Sequence, residues 1–369
     1  MQKIRLFHPG ELWLDNNQIP INAHGGGMLH HDGRYYWFGE HKIEGEAGNW
    51  ARVGVHVYSS GDLYNWRDDG IALATAPENS DHPLRGGCII ERPKVLYNKR
   101  TGKFVMWFHY EAAQPDKTRR THAAGIALSD SPTGPYQYLR HVLPNAGYWP
   151  LNVRPEQQTP ESIAAVQKIN PQTLDKAGIM RYNLLGRDIA VGQHSRDMTL
   201  FLDDDGTAYH IYSSERNATL HIATLTPDFL DYTGRYWRAF EHRWMEAPAI
   251  FKHHGKYYFI GSDCTGWAHN AARSAVADHI GGPWRELGNP AFGPVAETTY
   301  ESQSTYVLPL PNGNFIFMAD RWNPQNAIDG RYVWLPVTWE GERPVVPWLD
   351  EWDLSFFQQI KNEAIRRIA

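Results

Sequence analysis

Short β-prone runs, rich in aromatic and branched residues, recur along this chain and are joined by glycine turns. Five segments share one pattern of a strand-like run, a turn and an aromatic strand: GGGMLHHDGRYYWFGE, ERPKVLYNKRTGKFVMWFHYE, RDMTLFLDDDGTAYHIYSSE, EAPAIFKHHGKYYFIGSD and SQSTYVLPLPNGNFIFMAD. Each is a hairpin signal, with Gly33, Gly102, Gly206, Gly255 and Gly313 at the turns. The spacings of 69, 104, 49 and 58 residues make the repeat irregular. Behind most hairpins a second pair of short strands follows, as in VGVHVYSSGDLYNWRDDG and AARSAVADHIGGPWREL. Four strands are the content of a propeller blade, so the pattern predicts an all-β, five-bladed β-propeller. A blade cannot bury its faces alone, so residues 1–369 read as one domain.

The longest spacing holds an insertion over 145–194, between blades two and three. Within it TPESIAAVQKI has Thr159 as an N-cap and Pro160 at the first helical position, and NPQTLDKAG offers a second short helix. An ordered insertion of this length reads either as decoration or as a wall over an active face.

Counting back nine to eleven residues from each turn glycine reaches His24, Glu91, Asp197, Glu246 and Gln303. All are polar, and all open the first strand of their hairpin. Innermost propeller strands begin on one face and line the central channel, so these side chains are expected to converge there. Buried carboxylates are costly unless paired or used. Glycoside hydrolysis uses such a set: one protonated carboxyl donates to the leaving oxygen, and a second group activates water or attacks carbon. Neighbouring negative charge keeps the first carboxyl protonated.

Composition narrows the classes. Fifteen Trp, 19 Tyr and 14 Phe suit β architecture and, in a cleft, flat sugar faces. A net charge of −5 with no basic run argues against nucleic acid. No apolar stretch reaches membrane-spanning length, and the start, MQKIRLFHPGELWLDNN, lacks a signal peptide's apolar segment. The sequence as written reads as cytoplasmic, or periplasmic or secreted if a leader has been removed. Cys88 and Cys264 form no disulfide framework and read as two reduced core residues. FLDDDGTAYHIY fails the EF-hand pattern, with Phe201 and Tyr212 at its end positions, and reads as a hairpin turn. The sequence does not indicate an oligomeric state.

AHGGGMLHHDGRYYWFGE, ERPKVLYN, SRDMTLFLDDDGTAYHIYSSE, EAPAIFKHHGKYYFIGSDCTGW, ESQSTYV and DRWNP followed by YVWLPV resemble glycoside hydrolase family 43, in particular its exo-β-1,3-galactanase-like branch. The resemblance implies an inverting glycosidase with Glu246 as general acid and Asp197 as the carboxylate that tunes and orients it. The Asp that most members carry early in blade one is missing; the stretch reads AHGGG, with His24 in its place. In the galactanase-like branch a Gln in blade five is held to position or activate water, and Gln303 matches it, with Glu91 a rival proton acceptor. Glu40, Arg92, Glu215, Thr265, Trp267 and, more weakly, His24 follow as sugar contacts; His24 can equally pack against the axis. No cofactor is required. Some members hold calcium in the channel, so a structural calcium is compatible, although no metal ligand set is readable. The expected substrate is galactan or arabinogalactan side chains. The alternatives are an α-L-arabinofuranosidase or β-xylosidase of the same family, or a non-catalytic sugar-binding propeller.

Overall fold

A computed structural model describes residues 5–113, 121–170 and 173–368. Blade one is β1 (His24–His31), β2 (Arg34–His41), β3 (Gly54–Ser60) and β4 (Arg67–Ala74). Blade two is β5 (Ile89–Asn98), β6 (Lys103–Glu111), β7 (Ala123–Ser129) and β8 (Gln137–Val142). The insertion follows with α1 (Pro160–Gln167), α2 (Lys176–Arg181) and α3 (Leu184–Asp188). Blade three is β9 (Met198–Leu202), β10 (Ala208–Ser214), β11 (Thr219–Leu225) and β12 (Tyr232–Ala239). Blade four is β13 (Met245–His253), β14 (Lys256–Asp263), β15 (Arg273–Ala277) and β16 (Arg285–Gly288). Blade five takes β17 (Ala291–Phe292), β18 (Gln303–Pro309), β19 (Phe315–Arg321), β20 (Arg331–Glu340) and β21 (Arg343–Pro347). Each blade is an antiparallel meander, and β17 adds to the last one as a parallel partner of β21. The five-bladed all-β propeller is therefore present as expected.

Five apolar clusters fill the five seams between neighbouring blades. Phe38 and Val57 meet Val95 and Met106; Trp107 meets Met198 and Tyr212; Ile222 meets Ile250 and Phe259. Phe251 meets Phe317 and Leu335, and Trp37 meets Ile316 and Trp334 across the last seam. Each blade thus buries one face against each neighbour, which is why aromatic content is high and why one blade cannot stand alone.

The tail, SFFQQIKNEAIRRIA, reads from its sequence as a closing strand plus a short helix. Only a helix forms, α4 (Phe356–Ile368), and its Phe357 packs into the seam between blades one and five. Closure comes instead from the chain start, where Phe7 bridges Trp352.

In the insertion Thr159 caps α1 by accepting from Ser162 N at 3.2 Å, as its sequence predicts. The second helix starts later than NPQTLDKAG suggests, at Lys176, because Asp175 accepts from Gly178 N at 2.8 Å and caps it there. Val166, Ile179 and Leu184 pack against Ala218 and Trp244, on the loops of blades three and four.

Candidate active site

Four of the five innermost strands carry a bulge near the residue picked out by register, directly after it at His24/Gly27, Glu91/Lys94 and Glu246/Ala249 and one residue past Gln303 at Ser304/Tyr306. Gly25, Arg92 and Ala247 adopt positive φ within the first three. Each of these three turned residues gives its N–H to a carboxylate from the neighbouring blade. Gly25 N donates to Asp320 Oδ2 (3.1 Å), Arg92 N to Glu40 Oε1 (3.1 Å) and Ala247 N to Asp197 Oδ2 (3.0 Å). A bulge re-aims the side chain before it and frees an amide. Here the freed amides pin neighbouring blades together through the same acids that crowd the channel.

Gly25 and Gly27 make room for this arrangement. A Cβ on Gly25 would lie 2.3 Å from Glu40 Oε1, and one on Gly27 2.5 Å from Lys94 Cδ. The glycines therefore admit two charged side chains to the axis.

Glu40, Lys42, Glu91, Arg92, Asp197, Glu246, Gly266, Trp267, Gln303 and Trp322 line one pocket of about 180 Å³. Arg92 is its hub. Its Nη2 donates to Asp197 Oδ2 (3.1 Å) and Gln303 Oε1 (2.5 Å), and its Nη1 to Ser304 O (2.9 Å). Trp322 Nε1 also donates to Gln303 Oε1 (3.2 Å), while Gln303 Nε2 donates to Ser262 Oγ (2.9 Å). Glu40 pairs with Lys42 at 2.6 Å. Burial nevertheless raises the Glu40 carboxyl above the usual range. Glu91 accepts from His109 Nδ1 at 2.9 Å.

Glu246 is half-buried, and its Oε1 accepts from Asn217 Nδ2 at 2.5 Å and from Cys264 Sγ at 3.1 Å. Burial, then the charge of Asp197, push its carboxyl up to about 7. A carboxyl of that strength still carries its proton near neutral pH, as a general acid must. Trp267 is 55% exposed at the rim and meets Trp322 edge-on, ring centroids 6.3 Å apart. Lys42 and Arg92 lie over the Trp322 ring at 5.8 and 5.5 Å, fixing it by cation–π contact.

Three expected contacts are not part of this pocket. His24 is 1% exposed; its Nδ1 lies 3.2 Å from Asp320 Oδ1 and its ring stacks on Tyr332, so it packs the axis. Glu215 turns inward at φ 50° into a two-pronged pair with Arg238 (both contacts 2.8 Å) and a contact to His221. These partners hold its carboxyl far below the usual range despite burial, and it lines a separate pocket beside the insertion. Thr265 ties up its own loop, donating to Ala268 O (2.6 Å) and accepting from Asn270 (2.7 Å). Among the described residues the insertion likewise supplies no side chain to the pocket that holds Glu246. Cys88 is buried as expected, but Cys264 is not a core residue; it faces Glu246.

Sequence reasoning missed Lys42, Asn217, Ser262, Cys264 and Trp322. Lys42 had a signal, since it follows Glu40 at strand period and so faces the same way. The others sit in loops or on neighbouring strands, where period says nothing.

Among the described residues one group could hold a metal ion, His109, Glu111 and His122, whose ligand atoms lie within 4.8 Å of one another. Calcium takes six to eight oxygens, and two imidazoles with one carboxylate do not fit it. Beside the axis the cation of Arg92 is a poor setting for a further one, and it joins burial in pushing Lys94, whose Nζ donates to Gly25 O at 3.1 Å, down to about 7. No helix among the described residues is long and apolar enough to cross a membrane.

A propeller whose channel mouth gathers a protonated carboxyl, a second carboxylate and an aromatic rim defines a glycosidase. The family model for glycosyl hydrolases family 43 matches residues 183–305. A solved GH43 β-1,3-galactosidase, determined with galactodeoxynojirimycin, is 47% identical over 94% of this chain and 100% of its own, with a TM-score of 0.85. The chain belongs to glycoside hydrolase family 43. The exo-β-1,3-galactanase of Clostridium thermocellum is 32% identical, over 94% of this chain and 66% of its own, TM-score 0.74. That of Phanerochaete chrysosporium, solved with β-1,3-galactotriose, is 28% identical over 95% of this chain and 68% of its own, TM-score 0.76. No curated protein matches the sequence significantly.

Proposed function

We propose that the protein is an inverting, exo-acting β-1,3-galactosidase that removes galactose from galactan or arabinogalactan side chains. The observation that carries this is Glu246, pushed up to about 7 by burial and Asp197 in a pocket shared with Gln303 and Glu91. The 47% identity to a β-1,3-galactosidase along its whole length supports the choice of sugar. The pocket is small, on the scale of one ring rather than of a threaded chain, which supports attack at a chain end.

Glu246 gives its proton to the glycosidic oxygen as the bond to the anomeric carbon breaks. Asp197 stays against Arg92 and the Ala247 amide, keeping negative charge beside the acid until it has donated. Trp267 and Trp322 present faces for the sugar ring and exclude water around it.

The attacking water is held by Gln303 and deprotonated by Glu91. Gln303 Oε1 already accepts from Arg92 and Trp322, which uses both of its lone pairs. What Gln303 has left is its second amide hydrogen, a donor to the water oxygen and not a site for a proton. Glu91 is the remaining carboxylate of the pocket outside the Glu40–Lys42 pair. No cofactor enters these steps.

A product screen tests the reading. Wild type should release galactose from β-1,3-galactan and arabinogalactan, first as the α-anomer by proton NMR, and Glu246→Gln should not. Preferential release of arabinose or xylose would assign another activity of the family. Sugar binding without release by wild type would assign a binding role.

A further inference from the structure

Glu246 Oε1 accepts two hydrogen bonds, from Asn217 Nδ2 and from the Cys264 thiol. An oxygen with both lone pairs engaged has none for a proton, so the acid's proton is confined to Oε2. We propose that Cys264 is a positioning residue which, together with Asn217, clamps Oε1 of Glu246 and so fixes which oxygen protonates the leaving group. The proposal rests on Glu246 being the general acid.

The clamp is built rather than incidental. Cys264 N donates to Asp263 Oδ1 (2.8 Å), and Asp263 is held by Arg273 Nη2 (2.5 Å) and by Asn270, which accepts from its amide (3.0 Å). Asn217 also contacts the sulfur, at 3.5 Å. The apolar cluster formed by Val166, Ile179 and Leu184 of the insertion with Ala218 and Trp244 packs against Cys264. The insertion therefore serves the acid from behind: its described residues back Cys264, which holds Glu246, and do not line the pocket.

A thiol suits this place. Burial and the charge of Glu246 push it up to about 12, so it keeps the hydrogen it donates. Its bond is weaker than a hydroxyl's, so it orients the carboxyl while stabilising the carboxylate only a little. A strong donor there would acidify Glu246 and leave less of it protonated near neutral pH.

The test is direct titration of Glu246 by carbon NMR of side-chain-labelled protein, in wild type, Cys264→Ala and Cys264→Ser, beside the pH profile of kcat/KM. Losing the donor should raise the Glu246 pKa by roughly half a unit to one unit in Cys264→Ala, the scale of one ordinary hydrogen bond and less than that of a strong donor to a charged group. Cys264→Ser keeps a donor and should leave the value unchanged or lower it. An unchanged value in Cys264→Ala, or an equal rise in both variants, overturns the clamp. A rise by NMR in Cys264→Ala with no matching move of the basic limb of kcat/KM leaves the clamp standing and instead overturns the assignment of Glu246 as the acid.

Discussion

The guanidinium of Arg92 donates to the side-chain oxygen of Gln303 across 2.5 Å. With Trp322 on the same oxygen, the amide is fixed as an acceptor there, and only a donor faces the water. Gln303→Ala should lower kcat by about 10²-fold or more with little change in KM, the usual cost of losing one oriented donor. Gln303→Glu should be no better, because a carboxylate cannot donate to the water. Recovery of wild-type turnover in Gln303→Glu would show that residue 303 takes the proton itself.

If Glu91 is the proton acceptor, Glu91→Ala should lose about 10²–10⁴-fold in kcat, the range of a general base. Azide, which needs no deprotonation, should restore turnover and give α-galactosyl azide, the product of single displacement. Failure of azide rescue in Glu91→Ala, with rescue in Gln303→Ala, would exchange the two roles.

The raised pKa of Glu246 sets two pH dependences. Activity needs its proton, so kcat/KM should fall as pH rises through about 7. Asp197→Asn removes the neighbouring charge and should move that limb to lower pH. For stability the sign follows from the ordinary value of 4.5 in the unfolded chain. Between 4.5 and about 7 the folded protein keeps a proton that the unfolded chain has lost, so this group's stabilising contribution is full below 4.5 and is lost as pH rises through 7. Glu246→Gln should flatten that part of the Tm–pH curve.

Trp267 at the rim should act on binding. Trp267→Ala should raise KM several-fold, on the scale of about 0.5–1.5 kcal/mol for an aromatic contact, with a smaller effect on kcat. A change confined to kcat would place the ring elsewhere in the reaction.

Glu215 should matter for stability. Its carboxylate and Arg238 are both nearly fully buried (side chains 4% and 1% exposed), and Glu215→Ala strips the guanidinium of its two-pronged partner and leaves it only the more exposed Glu241 as counter-charge. A loss of about 3–5 kcal/mol is expected on denaturant unfolding, the cost of breaking a buried pair. Galactose affinity of the folded fraction should stay unchanged.

Turn glycines and β-prone runs were enough to count blades, and counting back from the turns was enough to find the channel acids. Both work because hairpin geometry is local: each turn glycine sets the register of the strands it joins, and register sets which residue opens the inner strand. Trp267 was legible from its loop and from family resemblance. The sequence also led to Glu215, His24 and Thr265 as sugar contacts, and their neighbours Asn217, Gly25 and Gly266 show how near those readings came.

What the sequence alone determined is the ring of five blades and the convergence of Glu91, Asp197, Glu246 and Gln303 on one mouth. Only the tertiary structure decided what each of them can do. Arg92, Trp322, Asn217 and Cys264 reach Gln303 and Glu246 from other strands or other blades, through contacts up to 211 residues apart in the chain. Proton position follows from those partners, and residues so distant in sequence become neighbours only when the propeller closes.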